Sequence, residues 1–201
     1  MLLPHTPRLT PPAPWSPLTD LQFHALLPYL LPCSPAGRKI PDPRARMDAT
    51  FRLTATAAPW REVPAAGSTP ATVARYYRRL THNGLWVRLL LALAEAAPGH
   101  PLRQVDHLIV RACRRAHWMR GISLLVLIRR LGLRSALNGP PWLVPDPGLS
   151  ETLARAPLPL GIPRSRAGRL ARAGYLRAVT WLLKAAEGRA RIPRSVRLAW
   201  P

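Results

Sequence analysis

Ser68-Thr69-Pro70-Ala71-Thr72-Val73-Ala74-Arg75-Tyr76-Tyr77-Arg78-Arg79-Leu80 is the stretch on which the reading of this chain turns. A hydroxyl residue followed by proline is a helix start. The side chain caps free N–H groups of the first turn, and the pyrrolidine ring presets φ. The spacing predicts a helix from Pro70 to about Thr81, stopped by Asn83-Gly84. Val73, Tyr76 or Tyr77, and Leu80 can then face inward, with Thr72, Arg75, Arg78 and Arg79 facing out. A hydroxyl and three guanidinium groups on one helix suit a major groove, because arginine contacts phosphates or reads guanine through two hydrogen bonds. The same pattern also fits an amphipathic helix whose arginine face is merely solvated.

The flanks repeat the punctuation. Thr19 can cap a helix with Phe23, Leu26, Leu27 and Leu30 on its apolar face, ending or bending at Pro28. Asp42-Pro43 starts a second helix that carries Met47, Phe51 and Leu53 and stops before Pro59, with Trp60 as a core anchor. Leu85 to Ala97 is a fourth helix, then Pro98-Gly99 breaks the chain. Helices are expected at 102–119, 122–137 and 166–187, with Pro-rich loop over 140–165. No segment alternates as a strand would. The expected fold class is all-α. A helix-turn-helix-like module at 18–97 follows a Pro-rich, disordered lead-in (1–17) and precedes an Arg-rich helical extension (98–201).

Of 201 residues, 30 are basic and 9 acidic, a net +21, and 28 of the 30 are arginine. Such a balance asks for a polyanionic partner, nucleic acid or an anionic membrane surface. The charge is uneven: residues 1–97 hold +6 and residues 98–201 hold +15. The near absence of lysine is also what a GC-rich coding bias produces. Cys33 and Cys113 form no CxxC pair, which excludes a zinc ribbon or disulfide framework and suggests a reducing compartment. The start of the chain lacks the apolar run of a signal peptide. The most apolar stretch, Ile122–Ile128, is far short of the ~20 residues of a membrane span. A soluble cytoplasmic protein, associated with the nucleoid, is the expectation.

Five pieces in order now carry a resemblance: Leu18-Thr19-Asp20-Leu21-Gln22-Phe23 with Leu26-Leu27-Pro28-Tyr29-Leu30-Leu31-Pro32; Gly37-Arg38-Lys39 with Asp42-Pro43-Arg44; Trp60-Arg61-Glu62-Val63-Pro64; Thr72-Val73-Ala74-Arg75-Tyr76-Tyr77-Arg78-Arg79; and Gly84-Leu85-Trp86. Residues 18–93 resemble the N-terminal DNA-binding domain of bacterial insertion-element transposases, enzymes of the DDE type. Where that family has Gly before Trp-Arg, this chain has Ala57-Ala58-Pro59. The resemblance implies double-stranded DNA, the ends of an insertion element, as partner, with a homo-oligomer or a full-length transposase as a further one. Thr72, Arg75, Arg78 and Arg79 are the candidates for groove contact, and Arg38, Lys39 and Arg44 for phosphate contact.

The family's chemistry uses three carboxylates holding two metal ions. Past residue 98 only Asp106, Asp146, Glu151 and Glu187 are acidic, and Asp106 falls in an expected helix as a solvated residue. No catalytic triad, metal site or cofactor is therefore expected, and the chain reads as transposase-related without the catalytic half. Cys113 and His117 share a helix face but are two ligands only. No Ser-His-Asp set, GxGxxG or Walker loop appears, and the seven Trp are expected mostly in the core. Arg111, Arg114, Arg115 and Arg120 on one helix, and Arg164, Arg166, Arg169, Arg172 and Arg177 on another, can add phosphate contacts. The competing readings are a basic scaffold or anionic-membrane-surface protein, and a decayed transposase remnant.

Overall fold

The computed structural model describes residues 7–30, 42–62, 68–157, 161, 163–189 and 191–201. It is all-α: among the described residues there is no strand, only an isolated parallel bridge between Arg8 and Leu133. Two compact units divide the chain, Met1–Asn138 with Leu198–Pro201, and Gly139–Arg197. No described helix is long and apolar enough to cross a membrane.

The first unit holds α1 (Asp20–Leu30), α2 (Pro43–Thr56), α3 (Pro70–His82), α4 (Leu85–Glu95), the short α5 (Pro101–Gln104), α6 (Asp106–Arg120) and α7 (Ile122–Arg130). The expected caps are formed. Thr19 and Gln22 cap reciprocally, Thr19 Oγ1 accepting from Gln22 N at 3.3 Å and Gln22 Oε1 from Thr19 N at 3.0 Å. Asp42 accepts from Ala45 N at 2.8 Å, with Pro43 in the first turn. α1 runs past Pro28 rather than stopping there. Two residues from the helix end, the proline removes one hydrogen bond and little else. The helix expected at 102–119 is instead two pieces joined at Val105, and the one expected to reach 137 ends at Arg130.

α6 is the helix on which α2, α3, α4 and α7 pack. Its buried side carries Leu108, Ile109 and Val110 in the first half and the smaller Ala112, Cys113 and Ala116 in the second. Burial pushes the Cys113 thiol well above its ordinary pKa and makes it inert. The charge step at Pro98 is thus a different division from the compact unit, which runs on to Asn138.

Trp86, 1% exposed, forms the centre of the core. Its ring lies 5.5 Å from Tyr77 and 6.4 Å from Phe51, and its Nε1–H donates to Thr81 Oγ1 at 2.8 Å. The expectation of mostly buried tryptophans fails elsewhere. Trp118, Trp142 and Trp181 are 72%, 70% and 68% exposed, because composition does not say on which face a residue falls.

Ala57, just past α2, sits at φ 53° and ψ 23°, the left-handed conformation that favours glycine. It belongs to the Ala57-Ala58-Pro59 run that stands in place of the expected glycine. Ala57→Gly is expected to raise folding stability by about 0.5–1 kcal/mol, the relief of Cβ strain less the entropy glycine loses. Thermal or urea unfolding checks it.

The lead-in is not all disordered. Arg8 N donates to Gly132 O at 2.8 Å, Arg134 N to Arg8 O at 3.0 Å, and Thr10 N to Ser135 Oγ at 2.7 Å. The far end docks near the same turn. Arg114, 8% exposed, donates from Nε to Ser135 O at 2.6 Å, from Nη1 to Trp200 O at 2.9 Å, and from Nη2 to Pro201 O. Burial pulls its pKa down.

The second unit pairs α8 (Pro147–Ala154) with α9 (Arg166–Glu187), and α10 (Arg194–Ala199) leads back to the first. α8 lies in the stretch expected to be loop. Asp146 Oδ1 accepts from Leu149 N at 3.1 Å, with Pro147 in the first turn, the same start signal as Asp42-Pro43. Gly188, at φ 71°, allows residues 143–145 to pass close by; a Cβ there would stand 2.7 Å from Pro145 N.

Candidate nucleic-acid interface

α3 is built as its sequence suggests. Thr69 caps it, Oγ1 accepting from Thr72 N at 3.3 Å, and Pro70 occupies the first turn. Val73 and Tyr77 are fully buried, and Ala74, Tyr76 and Leu80 nearly so. Both tyrosines face inward where one was expected. Tyr77 Oη donates to Ala112 O at 2.8 Å, and its ring lies 5.5 Å from Trp60. Burial drives its pKa far up, so the phenol stays protonated and the bond to α6 stays made. The buried face fixes the rotation of α3 about its axis.

That rotation leaves Arg75, Arg78 and Arg79 exposed, with no carboxylate partner among the described residues. Ala71, Arg75, Arg78 and His82 follow at spacings of four, three and four, and all are exposed, so they make one stripe with Arg79 beside it. His82 was not singled out in the sequence, although it lies one turn beyond Arg78. Thr72 is only half-exposed, and its hydroxyl lies 2.9 Å from Thr69 Oγ1, which makes it part of the cap.

The phosphate candidates fare differently. Arg38 and Lys39 lie outside the described residues. Arg44 bonds the Asp20 carboxylate through Nη1 and Leu18 O through Nη2, tying α1 to α2. A phosphate would have to compete with Asp20 for it. Trp60 is half-buried against Ala49, Leu53 and Val73. The guanidinium of Arg115 lies over its ring at 4.6 Å and donates to Ala58 O at 3.3 Å. Arg114 and Arg115 therefore serve the interior rather than the phosphate contacts expected of them. Their carbonyl partners are distant in sequence, and no local pattern signals them.

The carboxylates stand apart from any strand. Asp106 begins α6 and is half-buried rather than solvated; burial raises its pKa, opposed by neighbours that include the Thr10 side chain. Asp146 caps α8, Glu151 pairs with Arg155 at 2.6 Å, and Glu187 ends α9. Among the described residues no group of three His, Cys, Asp or Glu side chains is placed to hold a metal ion.

Residues 18–90 match a protein family described as "Putative transposase of IS4/5 family". The match covers α1 to α4 and stops within the last of them. No curated protein and no solved structure matches the chain.

Proposed function

We propose that residues 18–97 act as a helix-turn-helix-like DNA-binding module that recognises the double-stranded ends of an insertion element. In this reading α3 is the recognition helix and the catalytic half of the transposase is missing. The observation that carries it is the division of α3 into a packed face and an exposed arginine face with no carboxylate partner among the described residues, inside the segment that matches the transposase family. A solvated face explains the exposure equally well. It does not explain why three guanidinium groups gather on one helix with no acidic residue between Glu62 and Glu95. Arg75, Arg78 and Arg79 contact base edges and phosphates in the major groove, Thr72 contributes at the helix start, and Arg38 and Lys39 contact phosphates.

The chain then works in the cytoplasm at the nucleoid, alone, as a homo-oligomer, or alongside a full-length transposase competing for the same ends. Arg75→Ala with Arg79→Ala is expected to weaken duplex binding at least tenfold, about 1.4 kcal/mol. Fluorescence anisotropy with insertion-element end duplexes at moderate salt measures it. Unchanged affinity would remove α3 as the reader.

A further inference from the structure

α9 is 22 residues long, yet only Ala186 of it is buried. Its inward side, with Val179 and Leu182 half-buried, belongs to the pairing with α8. The other side is a continuous stripe. Arg166, Leu170, Ala173, Arg177, Trp181 and Lys184 follow at spacings of three and four, and all six are exposed. Trp181 is 68% and Leu170 62% exposed. Leu176, Arg177, Thr180, Trp181 and Lys184 line a shallow cleft.

The stripe carries three cations, Arg166, Arg177 and Lys184, against one carboxylate beside it, Glu187, three residues past Lys184 at the helix end. Residues 139–197 hold eleven basic and three acidic side chains. Of the three, Asp146 caps α8, Glu151 pairs with Arg155, and Glu187 closes the helix. Arg177 is exposed and donates to Ala173 O through Nε at 3.3 Å, a bond that does not use its two terminal nitrogens. An exposed indole thus stands between a guanidinium four residues before it and an ammonium three residues after it. The two cations are about 10 Å apart along the axis, at 1.5 Å per residue.

From this juxtaposition we propose that the Arg177–Trp181–Lys184 face of α9 is a binding site for single-stranded DNA, with an unpaired base stacked on Trp181 and flanking phosphates on Arg177 and Lys184. The chemistry matches on both counts: an indole offers a face to any base, and the cations track the backbone without regard to sequence. A duplex keeps its bases stacked inside and offers nothing to an indole on a helix surface. A bilayer is a poorer match, because membrane-lying helices segregate apolar and charged faces. Here cations and apolar side chains alternate along one stripe. The site is independent of α3.

The test uses the full chain and a labelled oligo(dT) single strand. Trp181→Ala is expected to weaken its binding by about fivefold or more, with Trp181→Phe restoring most of it. Arg177→Gln with Lys184→Gln should lower the affinity and flatten its dependence on salt. The fold loss caused by Trp181→Ala should be the same in the Arg75→Ala with Arg79→Ala background, which separates this site from α3. Undiminished oligo(dT) binding by Trp181→Ala would overturn the proposal. So would a Trp181→Ala defect seen only on phosphatidylserine vesicles, which would make the stripe a membrane contact.

Discussion

Trp86→Ala is expected to cost about 3–5 kcal/mol of folding stability, the range for truncating a fully buried aromatic. Trp86 lies in the first turn of α4, but its side chain serves three helices. It touches Phe51 on α2 and Tyr77 on α3, and its N–H is bound by Thr81 Oγ1, whose own hydroxyl donates to Tyr77 O at 2.9 Å. Alanine would leave a cavity among three helices and a buried hydroxyl short of a partner. Small domains are stable by about 5–15 kcal/mol, so the variant would stand near the unfolding threshold. Urea unfolding measures the loss. Trp86→Phe keeps most of the apolar contact and gives up the hydrogen bond, so about 1–2 kcal/mol is expected of it. A Trp86→Ala cost below about 1 kcal/mol would mean that this cluster does not hold α3 in place.

The second large effect is expected at Arg114. Its guanidinium is buried and donates to three backbone oxygens, those of Ser135, Trp200 and Pro201. Arg114→Met keeps the aliphatic stem and removes all three bonds. The Ser135 carbonyl is left without this donor, and Leu198–Pro201 loses its anchor, for an expected cost of about 2–4 kcal/mol. Hydrogen exchange separates the parts: protection should fall first around residues 198–201 and the 132–136 turn, while the α3 amides keep theirs. Arg114→Lys places one ammonium where a planar fork reached three acceptors, so it is not expected to rescue the variant fully.

Much of the first unit was legible because its signals are local. Asp42-Pro43 and Thr69-Pro70 start helices where such pairs should, and in the second unit α9 occupies the expected 166–187. The face of α3 followed from spacing alone. What was missed depended on context. Asp146-Pro147 is the same start signal, but the prolines around it led to a loop reading. The Arg8–Thr10 segment reads as a floppy tail until its partner, more than a hundred residues away, is in place. Arg114 and Arg115 look like the other arginines of α6, and only long-range contacts separate an interior arginine from a surface one. The exposed stripe of α9 could be drawn on a helical wheel, but not the fact that no described residue of its own unit covers it.

Two segments of the first unit far apart in sequence, 8–10 and 198–201, meet at one turn. Thr10 is held at Ser135, and Trp200 Nε1 donates to Arg134 O at 3.2 Å. Chain that enters at Arg8 and chain that leaves at Pro201 therefore pass the same turn, while the exposed Pro98-Gly99 corner offers a place for an insertion.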